Sequence, residues 1–382
     1  MSEAISSEAM SNNLVSADSH VVEVPDLWET RMSPAFRDRA PKVYFDEARK
    51  SWVFGSPEVL PQAVGSLLMA GQKTEDTQRF HESGFAAARE GGWNPVARLD
   101  DMVTDGVWGE VLYPSLGLGL FCVEDADLQE DCFRAYNDWL IDYCQGSPER
   151  LYGIGLISVY NIDHAVAELT RCKKNGLRGG MIWQEPDERL PFASDHYDPF
   201  WQAAQELEMP ISLHILTGHG ASKHRQRMMG LDRYRRSIHQ SQDVQYALFE
   251  IIYSGALERY PGLKIVSVEN EIGWMPFWLG QCDKYFHRFG PNIPIPIKTP
   301  PSEQFERQIY ATFFNDRVGG RQLSWWGTDN CMWSNDYPHQ NSTWPNSRDV
   351  IARDLSHLDP VARRKLLRDN VENLYGLTLP SS

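Results

Sequence analysis

Asp18, Ser19 and His20 follow one another at the end of a short apolar run, 14–17, in a chain of 382 residues. In an extended segment residues two apart point to the same side, so Asp18 and His20 can reach one metal ion together. Three further apolar runs lead into comparable groups. His214 closes 210–214, Glu269-Asn270-Glu271 follows 264–268, and Asp336-Tyr337-Pro338-His339 comes shortly after 330–333. Carboxylate and imidazole are the donors of a catalytic Zn, Mn or Fe centre with an open coordination position. Such a centre activates a water or polarises a substrate oxygen. A lone Asp before a loop is more often a helix cap, and a lone His at a strand end is more often a core residue. The joint pattern carries the weight.

These groups share chemistry only if the fold brings them to one rim. Eight β-type runs, 14–17, 109–113, 153–158, 180–183, 210–214, 264–268, 308–312 and 330–333, are interleaved with helical patterns at 128–145, 162–175, 198–207, 243–260 and 274–289. That alternation is the signature of a parallel sheet. Eight repeats of it predict an α/β fold, a single (β/α)8 TIM barrel, whose active sites are built at the C-terminal strand ends. No GxGxxG follows a strand, which argues against an open dinucleotide-binding sheet. Residues 14–377 read as the barrel, with 1–13 and 378–382 as tails. The stretch 24–93, with Pro25, Pro34, Pro41, Pro57 and Pro61, is too long for one connection and reads as an insertion or lid after the first strand. Residues 218–242, rich in Arg225, Arg227, Met228, Met229, Arg233, Arg235 and Arg236, read as a helical cover segment over the mouth or as a solvated helix. Asp359-Pro360 reads as the N-cap and first turn of a helix reaching about 373.

The net charge of −15 leaves no basic stripe for nucleic acid, and no apolar run is long enough to cross a bilayer. The first residues carry no secretory pattern. Six widely spaced cysteines show no CxxC spacing, as expected of reduced thiols in a cytoplasmic protein. The 13 Trp, 16 Phe and 15 Tyr can line an apolar pocket as well as a core.

Asp18-Ser19-His20, Leu213-His214 and Asn335-Asp336-Tyr337-Pro338-His339 resemble the metal motifs of the amidohydrolase superfamily. Together with Asp105-Gly106-Val107, Ala135-Tyr136-Asn137-Asp138-Trp139-Leu140, Pro148-Glu149-Arg150-Leu151, Asp369-Asn370 and Leu374-Tyr375-Gly376, they are most similar to the branch of aminocarboxymuconate semialdehyde decarboxylase and the aromatic-acid decarboxylases. The resemblance runs from 18 to about 377. It implies a divalent metal held by Asp18, His20, His214 and Asp336, with Asp336 also orienting or deprotonating water. His339 would support Asp336 or meet substrate.

One departure splits the expected function. That branch carries a His after the sixth strand, where this chain has Glu269-Asn270-Glu271. A Glu cannot supply a cationic donor, but it can be a general base or a bridging ligand. No Lys lies in 180–184 to be carboxylated, so a second metal would need Glu269 or Glu271 with a His such as His219, His224 or His239. The first reading is hydrolysis or non-oxidative decarboxylation of a small aromatic or apolar carboxylic or acyl substrate, with Asp336 as base and Glu269 binding metal or placing water. The second is a site of two Fe activating O2, as in the superfamily's nonheme diiron monooxygenase branch, which would hydroxylate a bulky terpenoid acyl substrate in secondary metabolism. A metal-free binding or scaffold barrel is the third. Trp333, Trp344 and Arg225 are expected to contact substrate, the Arg through a carboxylate or phosphate. The partner expected is a small molecule, with no nucleic acid and no membrane; a homo-oligomer is compatible with the resemblance.

Overall fold

The computed structural model describes residues 14–218 and 231–380. Its eleven strands are β1 (Leu14–Val21), β2 (Lys42–Asp46), β3 (Ser51–Gly55), β4 (Gln62–Ala63), β5 (Val107–Pro114), β6 (Leu151–Leu156), β7 (Gly179–Ile182), β8 (Ile211–His214), β9 (Ile265–Val268), β10 (Ile309–Phe313) and β11 (Cys331–Trp333). One sheet has the order β1-β5-β6-β7-β8-β9-β10-β11, with every neighbouring pair parallel. This is the expected (β/α)8 barrel. Its strands are buried on both faces, which is why they read as apolar runs rather than as alternating ones. Helices cover the outside, among them Ala126–Cys144, Ile162–Lys174, Asp198–Glu206 and Met275–Phe289.

Two boundaries differ from expectation in ways that matter. The first strand runs on to Val21, so Asp18 and His20 belong to β1 itself and lie fully buried. The helix expected over 243–260 is two, Ser241–Tyr253 and Ala256–Arg259, broken where Gly255 takes φ 76°. At the C-terminus Asp359 caps its helix as predicted, accepting from the amides of Val361 and Ala362.

The ends of the barrel sheet meet through the loop that follows β11. Asn335 N donates to Ser16 Oγ (3.0 Å), Asp336 N to Asp18 O (3.1 Å) and His20 N to Tyr337 O (2.6 Å). The stretch 24–93 is not plain loop. It carries an antiparallel sheet, β2-β3-β4, whose Phe54 ring sits 4.8 Å from that of Trp28. It also touches the closing loop, with Ala70 N donating to Pro338 O (3.0 Å) and Gln340 N to Ser66 O (3.0 Å). Among the described residues no helix is long and apolar enough to cross a membrane. Within 218–242 the described helix Leu231–His239 exposes Leu231, Tyr234 and Ile238. Arg225, His219 and His224 lie outside the described residues.

Asn335 ties this closure together. Its Oδ1 accepts from Ser16 Oγ (3.1 Å), Ser19 Oγ (2.8 Å) and Tyr337 N (3.1 Å), while its Nδ2 donates to Asp105 Oδ2 (3.1 Å). Truncation strands several buried donors at once, each costing on the order of 1–3 kcal/mol. Asn335→Ala is therefore expected to lower unfolding stability by about 3 kcal/mol or more, well beyond the effect of Ser19→Ala. Equal effects of the two variants in denaturant titrations would contradict this.

Candidate metal centre

Five candidate donors come from four strand ends. Asp18 and His20 stand on β1, His214 is the last residue of β8, Glu269 follows β9 and Asp336 follows β11. His20 Nε2 lies 3.5 Å from Asp18 Oδ1, 3.5 Å from Asp336 Oδ1 and 4.0 Å from Glu269 Oε2. His214 Nε2 lies 3.8 Å from Asp18 Oδ1 and 3.6 Å from Glu269 Oε2. Two donor sets with mutually close atoms result, Asp18, His20, His214 and Glu269 in one, and His20, Asp336 and His339 in the other.

Each imidazole is set by its far nitrogen. His20 Nδ1 is 2.7 Å from Pro114 O, and His214 Nδ1 is 2.9 Å from Ile215 O. A carbonyl can only accept, so both Nδ1 atoms carry a proton, and in the neutral imidazole it is the Nε2 lone pair that faces the cluster. This is the usual way a ligating histidine is oriented. Those two Nε2 atoms, both oxygens of Asp18 and Asp336 Oδ2 are buried without a hydrogen-bond partner among the described residues. Buried polar atoms are ordinarily satisfied. Acceptors left open together and aimed at one space fit a cation, and the mix of carboxylate and imidazole fits Zn, Mn or Fe.

The electrostatics agree. Burial, then the neighbouring Asp336 and Asp18, hold the Glu269 carboxyl well above the usual range. Asp336 is held well above it by burial and by Asp18. His20 is pushed well below the ordinary imidazole value by burial and by His339 and His214, and burial takes His339 down to about 4. Burial also pulls on His214, but Asp18 and Glu269 outweigh it and raise the group.

Backbone strain gathers at the same place. Glu269 (φ 58°), Glu271 (φ 53°) and Asp336 (φ 56°) take left-handed conformations that side-chain-bearing residues rarely adopt. Such strain costs on the order of 1–3 kcal/mol per residue and concentrates at functional sites.

The other expected residues take the following places. Glu271 turns away from both donor sets to accept from Phe314 N (3.3 Å), and burial with nearby Asp316 pushes it up to about 8. His239 is exposed on its helix and lies 3.3 Å from Gln242 Nε2, so neither joins a second-metal site in this arrangement. Trp344, expected at the substrate, donates Nε1 to Asp101 O (3.0 Å) and packs on Tyr337, supporting the closing loop. Trp333 is fully buried at the end of β11.

The supports of the site were not visible in the sequence. Arg98 and Glu110 form a fully buried ion pair at 2.6 Å, and Arg98 also donates to His20 O (2.6 Å) and lies over the Tyr337 ring. Arg98 stands on the helix Pro95–Asp105 and Glu110 on β5, far from any ligand motif. An alternation of charge with apolar residues could have hinted at Glu110, since a carboxylate inside a barrel strand needs a partner.

A model of the family described as Amidohydrolase matches residues 123–377, and the chain belongs to this family of metal-dependent enzymes. A γ-resorcylate decarboxylase of Polaromonas sp. strain JS666 is 23% identical over 278 residues, 67% of this chain and 79% of that one. An amidohydrolase from Mycobacterium avium subsp. paratuberculosis K-10 superposes with a TM-score of 0.76 at 18% identity, over 95% of this chain and 99% of the other. A dihydroxybenzoic acid decarboxylase from Polaromonas sp. JS666, solved with bound manganese and the inhibitor 2-nitroresorcinol, superposes with a TM-score of 0.64 at 17% identity, over 96% and 97% of the two chains.

Without metal, the raised Glu269 and Asp336 carboxyls hold a proton more tightly than free carboxyls do, whereas ligation requires the ionised form. Metal uptake therefore expels protons, and apparent affinity rises with pH. Calorimetric titration with Mn²⁺ in buffers of different ionisation enthalpy is expected to register proton release, and affinity to weaken as pH is lowered. A pH-independent affinity would contradict the site.

Proposed function

We propose that the protein is a metal-dependent carboxy-lyase that removes the carboxylate of a small aromatic acid without oxidation. The observation that carries the reading is the convergence of the buried Asp18, His20, His214 and Asp336, whose polar atoms are left open toward one another, with the half-buried Glu269 beside them. Membership of the amidohydrolase family and the likeness to decarboxylases of hydroxylated benzoic acids support it.

Asp18, His20, His214 and Asp336 would hold the metal, with Glu269 completing the set in the place of the histidine found in the branch it resembles. When bound, a divalent metal supplies a Lewis acid that draws the substrate's oxygens and disperses their charge. The chain's own groups do the rest. Asp336, ionised while it holds the metal, would take up a proton from solvent on its free oxygen and deliver it to the ring carbon as the bond from that carbon to the carboxylate breaks. The carbon gains hydrogen, CO2 departs with the oxygens it brought, and Asp336 is reprotonated from solvent. His339, whose Nδ1 lies 2.8 Å from Asp336 Oδ1, fixes that carboxyl in place. With their Nδ1 protons bound to carbonyls, His20 and His214 in the neutral form offer their Nε2 lone pairs to the metal.

One observation favours a second reading. The donors divide into two sets that share His20. Two metals, with Glu269 serving one and Asp336 and His339 the other, would suit the O2-activating chemistry of a diiron monooxygenase.

Manganese-loaded protein is expected to release CO2 from a hydroxylated benzoic acid such as 2,6-dihydroxybenzoate. Failure across a panel of phenolic acids with either manganese or zinc would sink the reading. Asp336→Asn and His214→Ala are each expected to abolish turnover with the melting curve unchanged. Glu269→Gln is expected to depress turnover more than stability, and full activity in any of the three would remove that residue from the site.

A further inference from the structure

Beneath the donor cluster runs a chain of polar groups that no motif announced. Ser115, the residue after β5, lies 2.9 Å through Oγ from His339 Nε2, and His339 Nδ1 lies 2.8 Å from Asp336 Oδ1. Ser115 and Asp336 are fully buried, and His339 nearly so. The order hydroxyl, imidazole, carboxylate is that of a relay in which each group sets the orientation of the next. A carboxylate facing a bare imidazole nitrogen would set lone pair against lone pair. With Asp336 ionised, as metal ligation demands, the His339 proton therefore sits on Nδ1, and Nε2 is left as an acceptor for the Ser115 hydroxyl.

Ser115 is itself held by an unusual device. The buried Glu23 carboxylate, three residues beyond His20, accepts from the amides of Ser115 (3.3 Å), Leu116 (2.8 Å) and Gly117 (2.9 Å). That approach needs a glycine at 117, where a Cβ would meet Glu23 Oε1 at 3.0 Å and Pro114 Cβ at 2.9 Å. The same turn presents Pro114 O to His20 Nδ1 at 2.7 Å. One clamp thus orients His20 directly and Asp336 through Ser115 and His339.

We infer that Ser115 is a positioning residue for the metal centre, holding His339 in the tautomer and ring orientation that presents Asp336, with Glu23 clamping the turn that carries it. The inference rests on the reading of Asp336 as a metal ligand, and deepens it. Neighbours that orient ligands typically matter by 10–100-fold in affinity or rate.

The test uses the full chain with Mn²⁺ as probe. Ser115→Ala is expected to bind Mn²⁺ roughly 10–100-fold more weakly and to lose kcat with KM little changed. Ser115→Thr, which keeps the hydroxyl, is expected to restore both. Ser115→Cys, close in size but a poor donor, is expected to behave like the alanine variant and serves if that one does not fold. Imidazole nitrogen NMR on the Zn²⁺-loaded protein is expected to show His339 protonated on Nδ1 in the parent and displaced from that state in Ser115→Ala. Parent-like Mn²⁺ affinity and kcat in Ser115→Ala, or a threonine variant as impaired as the alanine, would overturn the inference while leaving the metal site standing. A parent chain that binds no Mn²⁺ would overturn both.

Discussion

The structure depends on the seam where the first and last strands of the barrel meet. That seam is made by the motif residues themselves: Asp336 N bonds Asp18 O, and His20 N bonds Tyr337 O. Closing the barrel and assembling the donor cluster are therefore one event. The backbone groups that finish the fold belong to the residues whose side chains face the cluster. Around the seam, Asn335 gathers Ser16, Ser19 and the Tyr337 amide, and the Arg98–Glu110 pair braces His20 O from below. Tyr337 is held in turn by Asp101, whose other oxygen meets Arg89. A buried ion pair contributes little net stability over apolar packing, yet losing one partner is costly. Its use here is to hold a shape.

The seam also explains why so much unfavourable electrostatics is tolerated. Asp18, Glu269 and Asp336 bring three carboxyls into a space that the Nε2 atoms of two imidazoles also face. Without a cation, the crowding shows as carboxyls of Glu269 and Asp336 that hold protons more tightly than free ones. With one, the same groups become a compact anionic nest whose attraction for the ion grows because water is excluded. The left-handed backbones of Glu269 and Asp336 belong to this arrangement, since each turns a side chain inward within three residues of a strand end.

All eight barrel strands and most of their helices were legible, because short buried parallel strands leave apolar runs and their helices leave an amphipathic period. The ends were less so. Asp18 and His20 look like the start of a loop by hydropathy, although the strand continues to Val21. The stretch 24–93 read as an insertion or lid without strands of its own, because its prolines mask the short β2-β3-β4 sheet. Asp18, His20, His214, Glu269 and Asp336 were legible as strand-end donors, and the fold brings them together. Glu271 was not distinguishable from Glu269, since only the local turn decides which of the two faces inward. Glu23, Arg98, Glu110 and Ser115 were invisible for a different reason. Each acts through a partner distant in the chain, and no local spacing encodes such a pairing.

The central claim is that this seam builds one divalent metal site. Elemental analysis of the full chain, purified without added metal or chelator, tests it most directly. About one manganese or zinc per chain is the predicted result. Two irons per chain would contradict it in favour of the diiron reading, and a metal-free chain that also refuses added metal would contradict it altogether.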